Sequence, residues 1–235
     1  MNIVKKFHKA CADYGLIADG DHILIGLSGG KDSLALVELL GRRAQIYKPR
    51  FRVTALHVRV QERAYISDLS YLQAFCDEFK VPFVVKDVEI SGGESDETNP
   101  CFLCSWYRRK ALFNTAQELG CNKIAFGHHR DDILETMMMN LIYQGAFATM
   151  PPILQMDKMP LQIIRPLCLI DEADLIAYAQ ERGYRKQKQL CPFEHVSSRE
   201  KVKGLMAQIK ALNPEAADSM YAAMSNIKEE YLPRR

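Results

Sequence analysis

The residues of this 235-residue chain best suited to chemistry are Ser28-Gly29-Gly30-Lys31-Asp32-Ser33. They follow the apolar run Ile23-Leu24-Ile25 and precede Leu34, Leu36, Val37, Leu39 and Leu40. That order predicts a strand, a glycine turn and a helix. Two adjacent glycines let the backbone turn where a Cβ would clash. The loop then delivers several N–H groups, and the positive end of a helix, to one point. A phosphate-bearing ligand is the expected occupant, with Lys31 adding a charge. The pattern is not a Walker A loop, which needs G-x-x-x-x-G-K-S/T. Here the residue five before Gly30 is Ile25, and Lys31 is followed by Asp32.

A second signal lies in Asn99-Pro100-Cys101-Phe102-Leu103-Cys104, a C-x-x-C at the mouth of a helix. The helix N-terminus, Arg108 and Arg109 favour thiolate forms there. Three chemistries compete for the pair. A tetrahedral zinc site takes four ligands, usually from two such pairs, and the chain has no second C-x-x-C. A thioredoxin-like redox pair normally opens the first helix of its fold. An iron–sulfur cluster needs thiolates close in space. Of the seven cysteines, Cys191 is the other one in a polar, loop-like context, Lys188-Gln189-Leu190-Cys191-Pro192. Cys11, Cys76, Cys121 and Cys168 sit in apolar surroundings, where burial is the default. An odd cysteine count without a secretion signal argues against a disulfide framework.

The elements that must position these groups alternate along the chain. Residues 1–20 predict a lead-in helix. Strands are expected at Ile23–Leu27, Phe51–Val58, Pro82–Lys86, Lys123–Phe126 and Leu161–Ile164. Helices are expected at Asp32–Tyr47, Ile66–Phe79, Ser105–Leu119, Asp131–Tyr143 and Asp171–Arg182, the last with Asp171 as N-cap and Gly183 past its end. Ser91–Pro100 reads as a loop, and Ser198–Leu212 and Pro214–Tyr231 as helices. Met137–Met139 read as core packing. The alternation implies βαβ units in an α/β, doubly wound parallel sheet covered on both faces. Ligands bind such sheets at the carboxyl ends of the strands. Those ends carry the glycine loop, Leu56-His57-Val58 and Gly127-His128-His129-Arg130-Asp131-Asp132.

Composition agrees with a globular protein, at 48% hydrophobic and 26% charged residues. No apolar run reaches the roughly 18–20 residues of a membrane helix. Met1–Lys9 has no signal-peptide core, so a cytoplasmic, membrane-free protein is expected. Net charge is only +2, yet Arg182, Arg185, Lys186, Lys188, Arg199, Lys201, Lys203 and Lys210 face only Glu194 and Glu200. A second basic group runs through Arg42, Arg43, Lys48, Arg50, Arg52, Arg59 and Arg63. Such patches suit either a solvated face or a phosphate backbone.

The Ser28–Ser33 loop resembles the pyrophosphate loop of the ATP pyrophosphatase superfamily. Members of that superfamily cut ATP between its α and β phosphates to adenylate a carbonyl oxygen. In order, this loop, the Cys101/Cys104 pair running into Ser105-Trp106-Tyr107-Arg108-Arg109, Gly127–Asp132, Met150-Pro151-Pro152, Ile164-Arg165-Pro166-Leu167 and Cys191 resemble tRNA 2-thiocytidine synthetases. The resemblance spans about residues 20–230. It implies an adenine nucleotide α-hydrolase-like (PP-loop) domain over 21–170, carrying the C-x-x-C. Residues 171–235 would be a basic helical C-terminal extension with the third cysteine. It also implies ATP, Mg2+ and a 4Fe–4S cluster on Cys101, Cys104 and Cys191. The substrate would be tRNA and the sulfur donor a cysteine desulfurase or sulfide; a monomer and a homodimer both stay open.

On these residues the resemblance assigns phosphate binding to Ser28, Gly29, Gly30, Lys31, Asp32 and Ser33. Adenine and ribose fall to Leu56, His57, Val58, Gly127 and His128, and magnesium to Asp32, Asp131 and Asp132. Lys31, Asp32, Asp131, Cys101 and Cys104 are the expected catalytic set. The competing readings are a thiolase acting on uridine or a small molecule, a lysidine synthetase, and an adenine-nucleotide sensor without turnover.

Overall fold

The structure, a computed structural model, describes residues 2–60, 67–89, 100–185 and 198–233. By contact, the chain divides into two compact units. The first, residues 1–130 and 151–193, holds the sheet. The second comprises residues 131–150 and 194–235.

In the first unit, α1 (Ile3–Asp13) leads into β1 (His22–Gly26), α2 (Lys31–Ala44), β2 (Arg52–Val60), α3 (Leu69–Glu78) and β3 (Phe83–Val88). There follow α4 (Pro100–Glu118), β4 (Lys123–Ala125), β5 (Ile153–Gln155), β6 (Gln162–Ile164) and α6 (Glu172–Glu181), while α5 (Arg130–Gln144) begins at the edge of this unit. The strands run in the order β3-β2-β1-β4-β6-β5. All neighbours are parallel except β5, which pairs antiparallel with β6. The expected doubly wound sheet is therefore present, with one antiparallel edge strand that the sequence reading did not include. From β1 the chain builds outward to β2 and β3, then returns to place β4 on the other side of β1. The direction of winding reverses between β1 and β4, and a crevice opens at that switch point.

The edge hairpin explains two of the motifs. The Arg165 N–H donates to the Pro152 carbonyl at 2.8 Å. Its guanidinium Nη1 donates to the Pro151 carbonyl at 2.6 Å. Pro151-Pro152 and Arg165 thus knit β5 to β6, and Arg165 is a buried structural residue.

The core is built on Ile23, Leu24 and Ile25 of β1, Leu56 of β2 and Ile124 of β4, all fully buried. Helix α2 is buried almost all round, through Leu34, Leu36, Val37, Leu39 and Leu40. A helix buried on both sides needs a second partner outside the sheet, and α6 supplies it. Gly41 permits close packing against the end of α3, where a Cβ would come within 2.9 Å of the Phe79 carbonyl oxygen.

Several boundaries differ from expectation. Helix α1 stops at Asp13, with Gly15 at φ +60° beyond it. Pro100 opens α4 rather than closing a loop, a position where its missing N–H costs nothing. The rest of the expected Ser91–Pro100 loop lies outside the described residues. The last predicted helix is only α8 (Ala216–Ala223), followed by a short turn at Glu229–Tyr231.

The second unit packs α5, α7 (Ser198–Leu212) and α8 around Leu134, Met137, Val202, Met206 and Ala217. Met138 and Met139 pack against this cluster, as the core reading expected.

The α2–α6 contact centres on one carboxylate. Glu38, 1% exposed, accepts from Tyr184 Oη at 2.7 Å, Tyr178 Oη at 3.0 Å, Arg42 Nε at 2.9 Å and Arg182 Nε at 3.0 Å. Burial opposes the charged form, but these hydrogen bonds outweigh it and hold the Glu38 pKa below the ordinary carboxylate value. Burial, reinforced by the Glu38 charge, pushes the Tyr178 hydroxyl up to about 12. Glu38→Ala is expected to lower unfolding stability by about 3 kcal/mol, read from urea denaturation. Glu38's contribution is complete above the ordinary carboxylate pKa and fades as pH falls through its depressed folded value. Glu38→Gln should accordingly flatten the acid limb of the stability–pH curve.

Candidate active site

The site begins where β1 ends. Gly29, at φ +84°, turns the chain into α2. Gly30 is the N-cap and provides no side-chain cap. The serines of the motif are turned onto the loop itself. Ser33 Oγ donates to the Gly30 carbonyl at 2.9 Å and accepts the Gly29 N–H at 3.1 Å. Ser28 Oγ accepts the Gly30 N–H at 3.3 Å. These bonds fix the loop, and Gly30 offers no side chain to the first-turn N–H groups of α2. Those donors and the helix dipole make a preformed anion site.

Gly127 closes the crevice from the β4 side. A Cβ there would lie 3.1 Å from the Asp32 carbonyl carbon and 3.2 Å from its oxygen. The glycine lets the two loops of the switch point touch.

Lys31 points along the mouth of the loop. Its Nζ lies 3.2 Å from Asp32 Oδ2 and 3.3 Å from Glu172 Oε1, at the start of α6. Asp171 is the N-cap of α6, as expected, but its carboxylate does not cap. It is held instead by Lys6 at 2.6 Å and by Arg130. The ion pairs anchor the end of α6 that presents Glu172. A cavity of about 620 Å3 opens beside the loop, lined by Gly29–Asp32 and, from α6 onward, by Ile176, Gln180, Tyr184 and Arg185. Glu172 and Gln180 were not identified from sequence, and Arg185 was expected only as part of a basic group. Glu172 lay next to a residue whose aspartate side chain already explained the helix start.

Leu56, His57 and Val58 lie within β2. Leu27 N–H donates to the Leu56 carbonyl at 2.9 Å, so the backbone groups of Leu56 face β1. Those of Val58 face the same way by strand alternation, and β1 has ended by then. Val58 therefore offers a donor and an acceptor at the open edge beside the glycine loop. His57 is 1% exposed, and its Nδ1 lies 2.7 Å from the Leu27 carbonyl. Burial lowers its pKa, the Leu27 hydrogen bond works against this, and the nearby Arg108 charge lowers it further. His57 is thus a neutral structural brace under the loop. His128 lies in the loop after β4, its ring 5.6 Å from that of Phe126.

Asp131 and Asp132 lie in the first turn of α5 and belong to the second unit. Asp131 pairs with Lys210, and Asp132 lies 3.4 Å from Arg199.

Helix α4 brings the cysteine pair to the same end of the sheet. Leu112 packs against β1, 3.5 Å from where a Cβ on Gly26 would stand. Arg108 lies close enough for its charge to act on His57. Cys104 is a free, half-buried thiol one turn before Arg108. Position 101 is one turn earlier in the same helix; its side chain, and all of Cys191, lie outside the described residues. The other described cysteines are poor ligands for a metal. Burial pushes Cys11 and Cys76 up to about 12 and Cys121 up to about 11. Cys168 is also buried.

A strand–glycine loop–uncapped helix at the switch point of such a sheet defines a PP-loop domain, and the family profile described as a PP-loop domain matches residues 1–188. Curated relatives narrow the class. The tRNA-cytidine(32) 2-sulfurtransferase of Sorangium cellulosum (strain So ce56) is 37% identical, with 98% of this chain covered and 82% of the relative. That of Aliivibrio fischeri (strain MJ11) is 35% identical, covering 95% and 74%. The chain belongs to the tRNA-cytidine(32) 2-sulfurtransferase family. Among solved structures, the U34-tRNA thiolase NcsA from Methanococcus maripaludis, with its 4Fe–4S cluster, superposes with a TM-score of 0.77 at 24% identity, over 98% of this chain and 78% of that one. NAD+ synthetase from Burkholderia pseudomallei superposes at 0.51 and 13% identity, covering 99% and 91%. Both likenesses concern the fold.

Gly127→Ala would press a methyl group onto the Asp32 backbone. It is expected to weaken ATP binding about tenfold, the equivalent of ~1.4 kcal/mol of overpacking, as measured by calorimetry.

Proposed function

We propose that this protein thiolates tRNA in an ATP-dependent reaction, activating O2 of an anticodon-loop cytidine and replacing it with sulfur. The observation that carries the reading is the uncapped start of α2, with Lys31 beside it, opening onto a cavity large enough for a nucleotide. Family membership supplies the substrate class.

The reaction fits the residues present. The pyrimidine O2 attacks the α-phosphorus, the bond to the β-phosphate breaks, and pyrophosphate leaves. The first-turn N–H groups of α2 and Lys31 hold the phosphates and offset charge that grows on the leaving group. Asp32, at the second position of the helix, is the carboxylate placed to hold magnesium against those phosphates. When they bind, Lys31 exchanges its contact with Glu172 for one with phosphate. The open backbone edge at Val58 suits the rim of adenine, and Gly127 leaves room for ribose. Replacement of the adenylated oxygen by sulfur then expels AMP.

Cys101, Cys104 and Cys191 are the thiolates that would hold a 4Fe–4S cluster. When bound, such a cluster supplies an iron without a protein ligand, at which sulfur is presented. The sulfur itself comes from a cysteine desulfurase or from sulfide. The work belongs in the cytoplasm, where tRNA is modified, and no helix among the described residues is long and apolar enough to cross a membrane.

Two measurements test this reading. Nucleosides from tRNA of cells lacking the gene should contain no 2-thiocytidine; unchanged 2-thiocytidine refutes the substrate. Anaerobically purified protein should be brown, absorb near ~400 nm and carry about four irons per chain. Cys104→Ser and Cys191→Ser should each lose most of that iron. A colourless wild type would remove the cluster from the reading, and iron retained by Cys191→Ser would remove that residue from the ligand set.

A further inference from the structure

The chain has a single tryptophan, and it is not in the core. Trp106 is 46% exposed, in the second turn of α4 and two residues after Cys104. An indole is a large apolar surface, and leaving half of it in water forgoes burial that other elements could have provided. The ring is nevertheless held in place. Tyr107 meets it edge-on, with centroids 5.0 Å apart and planes at 85°. Lys110, one turn further on, sets its Nζ 5.0 Å from the ring centroid.

The helix face that carries the ring is positive. Arg109 and Lys110 are both exposed and lie three and four positions after Trp106, on its side of the helix. Helix α4 has no acidic residue before Glu118. The buried stripe of the helix runs through Ala111, Leu112 and Thr115. At ~100° per residue, position 104 continues that inward stripe, whereas positions 106, 109 and 110 form an outward one. One helix thus presents a thiol toward the head of the sheet and an aromatic, cationic face outward.

An oriented aromatic ring flanked by cations on its own helix matches single-stranded nucleic acid. A base stacks on the ring, and the cations meet the phosphates on either side of it. An apolar protein partner would have no use for Arg109 and Lys110. We propose that Trp106, with Arg109 and Lys110, is a stacking platform for an unpaired base that flanks the target cytidine in the tRNA anticodon loop. This proposal rests on the thiolase reading, and it assigns a role in substrate positioning to a residue outside the ATP site.

With one tryptophan, intrinsic fluorescence reports on the platform directly. Titration of the wild-type protein with an unmodified anticodon stem–loop RNA should quench the emission along the same curve as RNA binding followed by anisotropy of the labelled RNA. A fully paired duplex of the same stem should leave the emission unchanged. Trp106→Phe should bind the stem–loop within about threefold of wild type. Trp106→Ala should lose about 5- to 150-fold, the range given by ~1–3 kcal/mol of stacking per base. Lys110→Ala should lower the salt slope of binding by about one ion. Stem–loop binding with no change in emission and no loss in Trp106→Ala would overturn the platform and leave the thiolase reading standing. Absence of any stem–loop binding by anisotropy would overturn both. Emission that varies with protein concentration alone would assign the face to a contact between copies of the chain, and the platform would again be wrong.

Discussion

The N-cap of α2 is Gly30, which supplies no side chain to the N–H groups of the helix's first turn. A serine, threonine or aspartate at that position would stabilise the helix by only a few tenths of a kcal/mol over glycine. It would also occupy the donors. The sequence holds hydroxyls on both sides of the turn, in Ser28 and Ser33, yet both are spent on the loop's own backbone. The result is a rigid loop whose strongest donors face outward. An anion that arrives there finds the geometry already formed, so little ordering entropy opposes binding.

A helix start left open in this way has to be held from elsewhere. On the sheet side the holding group is Gly127, whose lack of a Cβ lets the β4 loop rest against the Asp32 backbone. On the outer side it is α6. Glu38 draws two tyrosines and an arginine from α6 and the segment after it onto the middle of α2. Lys6 and Arg130 fix the N-terminal end of the same helix through Asp171. These two anchors bring Glu172 to Lys31. The lysine therefore has a defined counter-charge, and its amine stays beside the loop instead of ranging through solvent.

The parts of this arrangement that could be read from the sequence were those encoded locally. Strand, Gly-Gly and helix follow one another within residues 22–44, and each has its own period or turn chemistry. The Cys101/Cys104 spacing was similarly visible, since one helical turn separates them. What escaped was long-range. Glu38 looks like an exposed charge on an amphipathic helix until Tyr178 and Tyr184, 140 and 146 residues away, are seen to reach it. Strand β5 escaped for a different reason. Three residues, of which Leu154 and Gln155 are exposed, show no alternation that could be distinguished from a loop. Its pairing depends on Arg165 reaching the carbonyls of Pro151 and Pro152. Those residues were recognised as motifs, but as motifs of resemblance, without a physical role.

The cysteines show how burial can specify a ligand set by exclusion. A thiol binds iron as the thiolate, so any residue kept protonated is removed from competition. Desolvation does this to Cys11, Cys76 and Cys121, whose pKa values of about 12, 12 and 11 leave almost no thiolate at neutral pH. No feature unique to the C-x-x-C is needed to explain why these three stay free. Cys104 differs in being half-buried, one helical turn before Arg108 in α4. Positions 101 and 104 share one rigid helix, so two of the expected ligands have their spacing set before any metal arrives. The third expected ligand, Cys191, lies 87 residues further along the chain than Cys104.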